Sequence, residues 1–268
     1  MFKEKRANMN ILFIGDIVGS GGREAVKRFV PELRDEYGCG FCVANGENMA
    51  SGNGFSKGPL EELRGCGVDV FTSGDHIWDQ KNFENEILEY PNVLRPANVP
   101  DAQPGKGYGV FEAKDGTKVG VISLLGRTFM KMMCDCPFAS ADRIVEELRH
   151  ETSFIVVDFH AETTSDKISL GRYLDGRVSC VIGTHTHVPT ADETIFPRGT
   201  AFQCDAGMVG ARDSVLGRDS EMIIRRYLTG MPSRFTVVNE GIRLHGTVVR
   251  LDSEGRAIGV ERVVRDLD

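Results

Sequence analysis

Two histidines one residue apart, His185 and His187 in VSCVIGTHTHVPTAD, are the most specific chemical signal in this chain of 268 residues. Alternate side chains of an extended segment point the same way, so the spacing directs both imidazoles to one point. Four more segments each deliver polar groups directly after a β-like run. NILFIGDIVGSGGRE carries Asp16, FCVANGENMASGNG carries Asn45, Glu47 and Asn48, VDVFTSGDHIWDQ carries Asp75 and His76, and SFIVVDFHAETTSDK carries His160. Each has a plainer reading on its own. Asp16 suits a helix cap, the Asn- and Gly-rich turn suits backbone geometry alone, His160 suits a hydrogen-bonded structural role, and His76 suits packing on Trp78. Their combination argues otherwise, because four of the six histidines of the chain fall in these segments. Imidazole, carboxylate and amide donors together suit Zn, Mn or Fe. Their number exceeds the need of one tetrahedral ion and points to two, which at a spacing of ~3.5–4 Å activate a bridging hydroxide and clamp the oxygens of an in-line phosphoryl displacement.

The elements that must position these groups alternate between short apolar runs and amphipathic stretches. NILFIG, FCVAN, VDVFTSG, KVGVISL, SFIVVDF, VSCVIGT, TAFQCDA, FTVVN and IRLHGTVVRLD are predicted strands. REAVKRFVPELRDEY, KGPLEELRGCG, SADRIVEELRHE and the region around DSEMIIRRYL are predicted helices. This pattern implies an α/β protein with a mainly parallel sheet, whose ligands gather outside the carboxyl ends of the strands. The closing strands are expected to be antiparallel, at an edge or in a second sheet. Residues 1–8 are read as a flexible N-terminal extension and residues 9–268 as a single domain. The longest irregular stretch spans about Leu94 to Gly109. The glycines after Asp16 form neither a dinucleotide-binding nor a Walker pattern, since Glu24 takes the third glycine position of the former and no Gly-Lys-Ser/Thr follows.

Bulk properties narrow the class. With 41% hydrophobic and 26% charged residues the chain is an ordinary globular sequence, and no apolar run approaches the ~20 residues of a membrane span. A soluble, cytoplasmic protein is expected. The formal charge of -7 argues against stable duplex nucleic-acid binding, which depends on basic surface. The seven cysteines are expected reduced, with Cys39 and Cys42 as buried thiols despite their CxxC spacing. Met-rich and Pro-rich loops leave a homo-oligomer open.

At these residues the chain resembles the calcineurin-like metallophosphoesterase superfamily, and within it the YmdB-type bacterial phosphodiesterases. The matching segments are GDIVGSGGRE, ANGENMASGNG, TSGDHIWD, NVLRPANVP, VDFHAETTSDK, GTHTHVPTAD and QCDAGMVG. The resemblance implies a four-layer αββα sandwich and two divalent or mixed-valence metal ions, iron foremost, with Mn or Zn as alternatives. It implies a small-molecule substrate, a phosphodiester and notably a 2′,3′-cyclic nucleotide. By motif, Asp16, Asn48 and His187 would serve the first ion, Glu47 would bridge, and Asp75, His160 and His185 would serve the second. His76 would not bind metal but would protonate the departing alkoxide as general acid. One departure stands out: the family pattern reads G-N-H where this chain has Gly74-Asp75-His76. The added charge is expected to preserve metal binding while shifting turnover or metal preference. Arg23, Arg95, Asn98, Arg127, Thr163, Ser165 and Lys167 are candidates for meeting phosphate or ribose. Two other readings share these residues: a metal-binding regulatory or RNA-associated protein with little turnover, and a phosphomonoesterase.

Overall fold

A computed structural model describes residues 9–267, so the expected extension at residues 1–8 lies outside the described residues. The chain opens with β1 (Met9–Ile14), β2 (Asp16–Ile17), α1 (Gly19–Tyr37), β3 (Cys39–Asn45), α2 (Lys57–Glu62), β4 (Val70–Thr72) and the short α3 (Phe83–Glu86), which runs on into a 3₁₀ turn at Ile87–Glu89. After the irregular stretch come β5 (Tyr108–Glu112), β6 (Lys118–Leu125), α4 (Pro137–Leu148), β7 (Ile155–His160), α5 (Thr164–Tyr173), β8 (Cys180–Thr184), β9 (Thr194–Ile195), β10 (Ala201–Gln203) and β11 (Met208–Ala211). It closes with α6 (Ser220–Thr229), β12 (Ile242–Leu251) and β13 (Ala257–Leu267).

These strands form two mixed sheets. In the seven-stranded sheet β1, β3 and β4 run parallel, and β12 pairs antiparallel with β1, β11 and β13. The long β12 gives one edge first to β11 and then to β1, and the other to β13. In the six-stranded sheet β6, β7, β8 and β10 are parallel, with β5 and β9 antiparallel at the edges.

Strand periodicity sorts the side chains into layers. Along β1, Ile11 and Phe13 join Phe41, Val43, Val121, Val156 and Ile182 in a core between the two sheets. Leu12 and Ile14 point the other way, onto Val26, Phe29, Val30 and Leu33 of α1. Ile144, Val145 and Leu148 of α4 and Leu170 of α5 cover the outer face of the second sheet through Ile155, Val157 and Phe159. The result is the expected αββα sandwich. Each fully buried Ile, Leu or Phe contributes ~1.5–3 kcal/mol of hydrophobic stabilisation, so both sheets are strongly held from two sides. α1 stops at Gly38, whose φ of 60° lets its N–H reach the carbonyls of Arg34 and Asp35.

Several elements differ from the sequence reading. FTVVN is no strand: among its residues only Val237 makes an isolated bridge, to Arg218. Both edges of β12 are already taken, which leaves that β-branched run no ladder to join. For the same reason β12 lies within its sheet rather than at an edge. TAFQCDA shortens to Ala201–Gln203, and Thr164–Tyr173 is helical, begun by Thr163 accepting from the Asp166 N–H. All seven cysteines are free, with Cys39 and Cys42 buried. Among the described residues no helix is long and apolar enough to cross a membrane.

Candidate metal centre

The carboxyl ends of β3 and β4 in one sheet meet those of β7 and β8 in the other at Asp158. This wholly buried carboxylate accepts hydrogen bonds from Asn45 Nδ2 (3.0 Å), Thr72 Oγ1 (2.5 Å) and Thr184 Oγ1 (2.7 Å). Thr184 has one hydroxyl proton, and it goes to Asp158. Its oxygen therefore accepts from the Nδ1–H of His160, 2.9 Å away. The relay fixes the imidazole tautomer and leaves Nε2 as the donor atom, an arrangement typical of the groups behind a metal-binding histidine.

Around that nitrogen stand Glu47 Oε1 at 3.0 Å, His185 Nδ1 at 3.0 Å and Asp75 Oδ1 at 3.4 Å. One donor atom from each of Glu47, Asp75, His160 and His185 lies within 4.8 Å of the others. A second grouping sits beside the first. His187 Nε2 is 3.2 Å from Asn48 Oδ1 and 3.9 Å from Asp16 Oδ1, and the same Asp16 oxygen is 3.9 Å from His160 Nδ1. Asn48 is anchored from both ends: its Nδ2 donates to Gly52 O (3.2 Å), and its carbonyl accepts from Gly19 N at the start of α1 (3.0 Å).

These residues fit divalent cations. Asp16 Oδ1, Asp75 Oδ1 and His187 Nδ1 are buried without a hydrogen-bond partner. Each such orphan costs ~1–3 kcal/mol unless something else satisfies it. Backbone is also kept clear of the cluster, since a Cβ on Gly74 would fall 2.2 Å from His160 Nε2 and 2.4 Å from Glu47 Oε2. Electrostatics tell the same story. Burial drives the Asp16 pKa well above the carboxylate range, with Glu47, Asp205 and Asp158 adding to it and His160 opposing. Burial also pushes Glu47 and Asp75 up, but the neighbouring imidazole of His160 outweighs it and both end low. Burial would lower His160, yet Glu47, Asp75 and Asp16 hold it well above the ordinary imidazole value. Burial brings His187 down to about 4, so it is a neutral donor at physiological pH. Negative charge in excess of local positive charge, with neutral nitrogen donors beside it, is the balance a cation corrects.

The H-x-H segment reaches the cluster by a different backbone from the extended one expected. His185 and His187 adopt φ of 96° and 64°. The two rings consequently serve different neighbours instead of one point: His185 faces His160, Asp75 and Glu162, while His187 faces Asn48 and Asp16. Left-handed backbone at a non-glycine costs ~1–3 kcal/mol, and it persists here because the loop is held from below. Asp205, 1% exposed, accepts from Thr186 N (3.1 Å) and Thr186 Oγ1 (2.7 Å), and it pairs with the equally buried Lys167 Nζ at 2.8 Å. Asp16 Oδ2 accepts from His185 N (3.2 Å).

His76 stands apart from the clustered donor atoms. Its N–H donates to Glu47 Oε2 (3.3 Å), while its ring Nδ1 lies 2.8 Å from Asp79 Oδ2. Trp78 turns elsewhere, towards Phe83 and Gln103. His76 lines a cleft of about 770 Å³ together with Glu47, Asn48, His185 and His187. Of the candidate substrate residues, most are occupied by the fold. Arg23 binds Glu62 and the Met49 carbonyl, Arg95 the carbonyls of Pro104 and Pro96, and Asn98 the backbone of Leu125 and Asp135. Thr163 caps α5, Ser165 bonds to Thr163, and Lys167 is buried on Asp205; Arg127 is exposed. The sequence reading missed Glu162, whose Oε2 lies 3.0 Å from His185 Nε2, and Arg218 in the cleft wall. Glu162 carried a signal, two residues beyond His160; Arg218 carried none.

Residues 12–263 match the family described as YmdB-like protein. A Bacillus subtilis protein named 2′,3′-cyclic-nucleotide 2′-phosphodiesterase is 46% identical over 96% of this chain and 97% of its own length. A crystal structure of a hypothetical protein from Thermus thermophilus superposes with a TM-score of 0.90 at 39% identity, covering 97% of this chain and all of that one. A second, described as a novel phosphatase from Mycoplasma pneumoniae, does so with a TM-score of 0.90 at 32% identity, covering 98% and 95%.

Proposed function

Since this chain belongs to the YmdB-like family of metal-dependent phosphodiesterases, we propose that it hydrolyses 2′,3′-cyclic nucleotides at a dinuclear centre, with His76 as the general acid. The observation that carries the reading is the convergence of Glu47, Asp75, His160 and His185 in one cluster, with Asp16, Asn48 and His187 grouped beside it. The Bacillus subtilis relative's name supplies the substrate class. Two bound ions, iron foremost with Mn or Zn as alternatives, would supply Lewis acidity towards the phosphoryl group and a water-derived nucleophile.

The chain's own residues do the rest. Asp16, Asn48 and His187 would hold the first ion and Asp75, His160 and His185 the second, with Glu47 available to both. Asp79 takes the Nδ1 of His76, so the acid function falls to Nε2. A ribose alkoxide is a poor leaving group, and proton delivery from a positioned imidazole is worth ~10²–10⁴ in rate. Glu162, on His185, orients that ring.

The test is hydrolysis of 2′,3′-cyclic AMP by metal-loaded protein beside His76→Gln, with elemental analysis of both. The expected result is equal metal content and a kcat lower by ~10²–10⁴ in the variant. Absence of hydrolysis in the unmodified protein, or equal kcat in both, overturns the reading.

A further inference from the structure

The catalytic cleft continues well beyond the metal donors, and its outer wall has a different chemistry. Leu216, Tyr227 and Phe235 line it, together with Arg218 and Arg226. Leu216 and Tyr227 are 45% and 86% exposed, a large apolar surface for a monomer to leave facing its own active-site opening. The Arg226 guanidinium sits over the Phe235 ring at 5.2 Å from its centroid, which makes a flat, cationic platform rather than a solvated side chain. α6 buries only Ile223, so Tyr227 is free of any packing duty in the core.

This wall is joined to the metal centre by one carbonyl. Gly52 O accepts from Asn48 Nδ2 (3.2 Å) and from Arg218 Nη2 (2.7 Å). Arg218 also bonds to Asn53 Oδ1 and pairs with no carboxylate among the described residues. A guanidinium without a carboxylate partner among the described residues thus shares a carbonyl with Asn48 and lines the same cleft as Tyr227 and Phe235. A nucleotide has the matching sequence of groups, an anionic phosphate followed by a planar base.

We propose that the wall formed by Tyr227 and the Arg226–Phe235 pair is the nucleobase subsite, with Arg218 facing the anionic part of the same ligand. The inference rests on the nucleotide reading of the site and extends it. Stacking tolerates every base, since each offers a π face, and the described wall presents no ordered set of donors that would choose among bases. The subsite thus selects nucleotides over base-free phosphodiesters without strong preference between bases.

The experiment is calorimetric titration of metal-loaded protein with adenosine 3′-monophosphate and with inorganic phosphate, for the unmodified protein and Tyr227→Ala, with 2′,3′-cyclic AMP turnover measured alongside. The exposed position of Tyr227 makes a folding defect avoidable, and Phe235→Leu provides a second probe of the same wall. The nucleotide Kd is expected to rise roughly tenfold in Tyr227→Ala while the phosphate Kd stays unchanged. An unchanged nucleotide Kd, an equal loss for phosphate, or an unmodified protein that binds the nucleotide no more tightly than phosphate overturns the subsite. Base-dependent binding lost in Tyr227→Ala, with no turnover in any protein, upholds the subsite and overturns the 2′,3′-cyclic-nucleotide reading instead.

Discussion

Replacing Asp205 by Asn separates the support of the H-x-H loop from the loop itself. The Asp205 carboxylate accepts four contacts: Lys167 Nζ at 2.8 Å, Thr186 N at 3.1 Å, Thr186 Oγ1 at 2.7 Å and Gly207 N at 2.8 Å. With both partners 1% exposed, removing the charge leaves the Lys167 ammonium buried and unpaired, a loss of ~3–5 kcal/mol. At ~2–4 °C per kcal/mol for a chain of this size, the metal-free Tm should fall by ~6–20 °C. The second consequence is specific to the loop. His185 and His187 hold left-handed backbone at ~1–3 kcal/mol each, and Thr186 between them is pinned by the side chain that the substitution alters. Relaxation of that strain carries both rings away from their partners, so metal affinity should fall ~10–100-fold, the usual cost of losing a group that orients a ligand.

Scanning calorimetry of chelator-treated protein reads the first effect, and competition against a chromophoric chelator reads the second. Thr186→Val refines the comparison, because it deletes only the hydroxyl contact and keeps the N–H: ~1 kcal/mol of stability and a smaller loss of affinity are expected. A large drop in Tm with unchanged metal affinity would refute the reasoning. It would mean that the Lys167–Asp205 pair stabilises the core while the loop keeps its conformation by other means.

Two further predictions need no metal. Burial pushes the thiols of Cys39 and Cys180 up to about 12 and that of Cys204 to about 11, and Cys42 and Cys66 are also raised by burial. These five are buried, whereas Cys134 and Cys136 are partly exposed, so a disulfide reagent should label only the latter two in the native protein, Cys134 the more slowly because burial raises its thiol too, and all seven in denaturant; fast native labelling of any of the five contradicts the packing. Burial first, then Arg243, brings His245 down to about 4, below its ordinary 6.5. The unfolded chain then takes up this proton before the folded one, so the contribution is whole above about 6.5 and is lost as pH falls towards about 4. His245→Asn should flatten the Tm profile in that window relative to the unmodified protein, and parallel profiles would rule the effect out.

Much of this was legible because strand ends are legible. β1, β3, β4, β7 and β8 appear in the sequence as apolar runs, and the candidate donors follow them or close them. What stayed hidden depends on pairings between distant segments. Lys167 looked like a phosphate-seeking cation in a loop, but α5 forms and buries it on a carboxylate that lies beyond β10. The His185–Thr186–His187 backbone was read as extended from its spacing, whereas the preference of histidine for left-handed conformations is too weak a signal to overrule alternation. The wall at Arg218, Tyr227 and Phe235 was invisible for another reason. Its residues belong to segments without a catalytic pattern, and only the return of the chain past α6 brings them to the cleft.

The division of donors between the two sheets explains why the centre depends on the layers behind it. Asp16, Glu47, Asn48 and Asp75 come from the seven-stranded sheet and the turns that follow its strands. His160, His185 and His187 come from the six-stranded one. Each grouping of donors draws on both sheets: Asp16 and Asn48 meet His187, and Glu47 and Asp75 meet His160 and His185. The separation of carboxylates from imidazoles is consequently set by the core of Ile11, Phe13, Phe41, Val43, Val121, Val156 and Ile182 and by the Asp158 network across the same seam. An ion held by these residues would by linkage stabilise the folded chain by RT ln(1 + [L]/Kd). Stability measured with metal present therefore contains the affinity, so any substitution near the centre must be measured with and without metal before its effect is assigned to the fold or to the site.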